Sequence, residues 1–217
     1  GTHVMSTMAG DGSGTSGTIS AYKYVGMAPR SEIIAVKTAM TEAGILDGVS
    51  YAMSKSDELG KPCVINASLG LHDGAHDGTS LFEKALDYAV STGKVTIVVA
   101  AGNDGTDSAH GEYIHAEGTV SGNTTHSTTF SVPSYTTGTT TGSLVLLSLW
   151  YQGNDEISVK ITSPNGNSLE KATGSPANYT LSWDNLIIMD NASTGVDANN
   201  GDRNCLILIT DSYGYLT

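Results

Sequence analysis

The chain has 217 residues, with 22 acidic side chains against 10 basic ones, a formal net charge of −12 and glycine at 26 positions. That acidity argues against nucleic acid or an anionic membrane as partner, since both require a basic face. No apolar run reaches the roughly 20 residues that span a bilayer.

The first half alternates between two hydrophobic periods. Gly1-Thr2-His3-Val4 opens into small and apolar residues, a pattern that places a histidine at a helix start. Gly26-Met27-Ala28-Pro29 is a turn signal, and Ser31 to Thr38 (SEIIAVKT) reads as a short strand. From Gly44 to Leu59 the apolar residues Ile45, Val49, Ala52 and Met53 recur at helical spacing. The run PCVINASLG, residues 62–70, predicts a strand ending in glycine. Ser80 to Thr92 predicts a second amphipathic helix, with Leu81, Phe82, Ala85, Leu86, Ala89 and Val90 as its buried stripe. KVTIVVAAGN, residues 94–103, is a continuous apolar run of the kind buried on both faces of a parallel sheet. Strand, helix, strand, helix, strand predicts a parallel α/β layer with right-handed crossovers.

Near Gly118 the character changes. Thr, Ser, Asn and Gly dominate, and short apolar runs are separated by turn residues: STTFSVP, SLVLLSLWY, EISVKITSP, NYTLSW, NLIIMD and NCLILITDS. Such spacing predicts an antiparallel β-sandwich or jelly roll. The expected domains are therefore 1–119, an α/β layer, and 120–217, a β module. Cys63 and Cys205 each fall inside a strand-like run and read as buried free thiols.

Parallel sheets bind ligands beyond the carboxyl ends of their strands. Ser68-Leu69-Gly70 and Ala100-Ala101-Gly102 sit at such positions, followed by Asn103. An amide there is placed to donate to a developing negative oxygen, although Gly-Asn-Asp-Gly would equally suit a plain turn. Ser80 begins a Ser-x-x-Glu capping box, which makes it structural. His72 and His76, beside Asp73 and Asp77, read as a solvated glycine-rich loop with a metal site as the alternative. His110 and His115 have no third ligand at a recognisable spacing. The Asp- and Asn-rich stretch 190–202 lacks the alternating spacing of a calcium loop and reads as a hairpin connection, with calcium the alternative. Trp150, Tyr151 and Trp183 read as core or interface aromatics, with a sugar-binding platform as the alternative.

Taken together, GTHV, VGMAPRSEIIAVKT, GILDGVSYAM, VINASLG and VVAAGNDG occur in one order over residues 1 to about 108. This order closely resembles the subtilisin-like serine proteases, the subtilases. Met5-Ser6 stands where that family's histidine motif has Ala-Gly. The resemblance implies that His3 is the general base and Asn103 the oxyanion donor. It also implies that Ser68, Leu69, Gly70, Ala100, Ala101 and Gly102 line the cleft for a peptide or protein substrate, and it implies no cofactor.

The family's aspartate motif would precede Gly1. No Gly-Thr-Ser-Met-Ala follows Asn103, and Gly78-Thr79-Ser80 comes too early to serve. The expectation is a segment of a larger serine endopeptidase, inactive alone, from a bacterial, secreted or cell-surface parent. The β module resembles the jelly-roll insertion of clostridial Csp-type subtilases and, more weakly, the P-domain of proprotein convertases. Rival expectations are a pseudoprotease with a signalling or scaffold role, or a glycan- or peptide-binding β-sandwich.

Overall fold

The computed structural model describes residues 1–70, 72, 74–102, 115–132, 144–182 and 185–211. The chain divides into two compact units, Gly1–Leu71 with Leu81–Asn103, and His72–Ser80 with Asp104–Thr217.

The first unit contains α1 (Thr2–Ala9), α2 (Glu42–Leu59), β1 (Cys63–Ala67), α3 (Leu81–Ser91) and β2 (Val95–Val99). Helix α2 starts where Thr41 accepts the Gly44 N–H on its side chain, with Glu42 complementing the helix dipole. It stops at Gly60, which takes the left-handed conformation (φ 62°) and donates its N–H to Asp57 O. The apolar residues of α2 do face inward: Ile45, Val49 and Ala52 are buried, joined by Ser56, whose hydroxyl donates to Lys61 O.

Strands β1 and β2 pair in parallel, with Cys63 opposite Val95 and Ala67 opposite Val99. Val49, Ala89 and Val95 form the core of this unit, with Met53, Cys63, Ile65, Leu86 and Ile97 packed against them. The helices thus cover one face of the ribbon, the face that takes every second residue of each strand.

Several expectations are corrected here. Ser31 to Thr38 is not a strand: no ladder partner lies beside it among the described residues, and Ile33 and Val36 are exposed. Strand β2 is covered on one face only, because Val98 and its neighbour Val64 face solvent among the described residues. In α3, Leu81 and Val90 lie outside the buried arc. Cys63 is half-buried rather than fully enclosed.

The second unit holds six strands among the described residues: β3 (Leu144–Tyr151), β4 (Ser158–Thr162), β5 (Ser168–Ala172), β6 (Ser175–Ser182), β7 (Asn185–Asn191) and β8 (Arg203–Asp211). Four form an antiparallel sheet in the order β3-β8-β7-β6, and β4 and β5 form a hairpin. Ile161 of the hairpin joins Ile187, Met189, Cys205, Ile207 and Ile209 of the sheet in one core, so the two sheets pack face to face. The 190–202 stretch does connect two paired antiparallel strands, β7 and β8. Strand β5 carries only Leu169 as a large apolar residue and has no sequence signal of its own. Residues 127–132, expected as a strand, adopt no regular structure.

Candidate functional site

His3 occupies the first turn of α1 and is exposed. The helix is tied down at its other end. Gly10, Met27 and Ala28 donate their N–H groups to Ser6 O, Thr7 O and Met8 O at 2.9, 3.1 and 2.8 Å, satisfying the last carbonyls of α1. Gly26 permits this approach: a Cβ there would lie 2.6 Å from Gly10 N and 2.7 Å from Ser6 O. The Thr7 hydroxyl donates back to the backbone carbonyl of His3 at 3.1 Å. Met5 and Ser6, the departure from the family pattern, sit mid-helix, and Ser6 is exposed.

Ser68-Leu69-Gly70 leaves the end of β1, and Ala100-Ala101-Gly102 leaves the end of β2. Because the strands run parallel and in register, the two segments emerge side by side. One further rung joins them, the Ala100 N–H donating to Ala67 O at 3.1 Å. Beyond it, no backbone hydrogen bond engages Ser68, Leu69, Gly70, Ala101 or Gly102 among the described residues. Asn66 donates its amide to the Ser68 hydroxyl at 2.9 Å, fixing the start of the first segment. Gly102 takes a φ of 89°, a left-handed turn open to glycine, which redirects the chain at the end of the second.

The result is backbone that lies beyond the carboxyl ends of two parallel strands and, apart from the Ala100–Ala67 rung, has no backbone partner among the described residues. Chemically it offers N–H donors and C=O acceptors to another extended chain. No hydrogen bond joins His3 to either segment among the described residues. Asn103, His110 and Trp183 lie outside the described residues.

Other candidates lie elsewhere in the chain. Ser80 immediately precedes α3 in the N-cap position. His72 and His76 lie exposed in the loop leading to it, and His115 is exposed as well. In that loop Asp77 accepts the Thr79 hydroxyl and, at 3.0 Å, the Thr79 N–H. The bond from the Thr79 hydroxyl is the main reason its carboxyl is held below the usual range. No group of three His, Cys, Asp or Glu side chains is placed to hold a metal among the described residues. None of their helices is long and apolar enough to cross a membrane.

The subtilase family model matches residues 1–201. Subtilisin-like protease 9 of Arthroderma benhamiae is 30% identical over 125 residues, covering 54% of this chain and 29% of its own. A subtilisin-like protease of Coccidioides posadasii is 33% identical over 129 residues, covering 55% of this chain and 30% of its own. The chain thus spans under a third of the curated relatives it matches, and these are fungal rather than bacterial. The fold is similar to that of the CspB protease of Clostridium perfringens, with TM-score 0.64 and 23% identity over 99% of this chain and 43% of that one. With a family model covering far more than half its length, the chain belongs to the subtilase family.

Proposed function

We propose that this chain supplies the histidine and the oxyanion-binding segment of a serine endopeptidase acting on proteins or peptides. The observation that carries the reading is the backbone of Ser68–Gly70, unpaired among the described residues, beside Ala100–Gly102 at the carboxyl ends of β1 and β2. An extended substrate adds there as a strand, with its scissile carbonyl near the end of the second segment. His3 then takes the proton from a serine nucleophile, and the Asn103 amide donates to the oxyanion as charge develops. The aspartate that orients His3 and the serine itself come from outside this chain. The same reading puts the parent outside the cell, as subtilases often are.

The test uses the longer polypeptide that carries this segment. His3→Ala should lower kcat/KM by at least about 10³-fold while leaving the melting temperature unchanged. Asn103→Gly, which preserves a turn but removes the donor, should lower kcat more than it raises KM. Full turnover in either variant would overturn the assignment of that residue. The 217-residue chain alone should not be labelled by an active-site serine probe, and labelling at Ser80 would refute the reading.

A further inference from the structure

The outer face of the four-stranded sheet, away from the β4–β5 hairpin, carries a cavity of about 320 Å³. Trp150 of β3, Asp190 of β7 and Asn204 of β8 bound it, together with Ala192 and Asp197 from the β7–β8 connection. The register brings them together: Trp150 lies opposite Asn204, and Asp190 opposite Leu206. The volume is at the low end for small-molecule sites, suited to one side chain rather than an oligosaccharide.

Its polar groups are anchored from behind. The Ser148 hydroxyl accepts from Trp150 Nε1 at 3.1 Å and from Asn204 Nδ2 at 2.9 Å. With the indole N–H engaged there, Trp150 offers a ligand its ring surface. Asp190 accepts the Ser193 N–H on Oδ1 at 2.9 Å and the Ser193 hydroxyl on Oδ2 at 2.6 Å. Asp197 Oδ1 accepts the Asn199 N–H at 2.7 Å. Both carboxylates are therefore held in fixed directions, and each keeps acceptor capacity. No lysine or arginine bounds the cavity among the described residues. Arg203, the next residue along β8, donates its Nε to Gly153 O at 2.7 Å instead. Neither carboxylate has an ion-pair partner among the described residues.

Two oriented carboxylates without a counter-ion among the described residues, beside an aromatic surface, complement a flat cation with several donors. We propose that this pocket binds the arginine side chain of a peptide, its guanidinium lying against the Trp150 indole and donating to Asp190 and Asp197. Guanidinium suits the site better than ammonium because it stacks on aromatic faces and donates in a planar fork. A neutral sugar would leave both negative charges uncompensated. The inference rests on the second unit alone and stands whether or not the chain serves a peptidase.

The experiment titrates the 217-residue chain with N-acetyl-arginine amide and follows the Trp150 indole and Asn204 amide signals by nuclear magnetic resonance. Trp150→Phe assigns the indole signal. Saturable shifts at both positions are expected, weakened by added salt. N-acetyl-citrulline amide, the neutral isostere, should bind about tenfold more weakly or worse. Asp190→Asn with Asp197→Asn should weaken arginine binding by a similar factor while leaving the melt nearly unchanged, because asparagine keeps the Oδ1 acceptor of the Ser193 and Asn199 N–H groups and its Nδ2 can donate to the Ser193 hydroxyl in place of the lost Oδ2 acceptor. If the double variant does not fold, Asp197→Asn alone should still weaken binding severalfold. Equal affinity for citrulline, a response to N-acetylglucosamine alone, or no saturable shift would each overturn the proposal.

Discussion

The Tyr151 hydroxyl donates to Asn191 Oδ1 at 2.7 Å, and Asn191 is wholly buried. Asn191 in turn donates its amide to Lys171 O at 2.9 Å and Ile157 O at 3.2 Å. The Tyr151 hydroxyl also lies 3.1 Å from that of Thr173. One asparagine at the end of β7 thereby ties β3, the end of β5 and the chain entering β4 into one network. Its side chain is satisfied on both ends, as a buried amide requires.

Asn191→Ala removes three bonds, although Ile157 O keeps the N–H and hydroxyl of Thr173 as donors. The variant should lose about 3 kcal/mol in a denaturant titration, at about 1 kcal/mol for each bond removed. Asn191→Asp carries a sharper signature. A carboxylate would face the Ile157 and Lys171 carbonyls, so its folded-state pKa is raised and the protonated form is favoured. Its stability relative to wild type should therefore fall as pH rises from acid to neutral. A flat difference across that range would mean that the amide donates nothing there.

Burial pushes the Cys205 thiol from 9.0 up to about 12, with the Asp190 carboxylate adding to the effect. The folded state therefore holds a proton that the unfolded chain releases at lower pH. Stability from this group is intact below pH 9 and declines as pH climbs toward 12. Cys205→Ala should flatten that alkaline decline in a pH series of melts. The same burial predicts the order of labelling by a thiol reagent under native conditions, with half-buried Cys63 modified before Cys205.

Gly26→Ala tests how α1 is held. Its methyl would collide with the backbone of Ser6 and Gly10, at a cost of about 1–3 kcal/mol. The expected readout is faster amide exchange at Met27 and Ala28, whose N–H groups bond to α1 carbonyls. Unchanged protection would show that the segment tolerates a Cβ.

Lys94 and Asp57 pair at 2.9 Å, but both side chains are more than half exposed. Lys94→Ala should shift stability by less than about 1 kcal/mol, and by less still at high salt. A larger loss would assign the pair a role that its exposure does not explain.

Helical periodicity and short apolar runs located α2, α3, β1, β2, β3, β4, β7 and β8, but the buried side of β2, a continuous apolar run, was decided by packing. Motif order carried the family, since GTHV, VINASLG and VVAAGN hold their sequence wherever the fold places them. Pairing and packing decided what local sequence could not. Ser31 to Thr38 has strand composition and no partner, whereas β5 has almost no apolar signal and is a strand because Glu170 lies opposite Lys160. A ladder needs two chains, and only tertiary structure brings the second. Asn191 read locally as part of a polar turn; its role as a clamp depends on carbonyls 20 and 34 residues away. Trp150, Asp190 and Asn204 likewise become one pocket only through strand register, which alternation permits but does not choose.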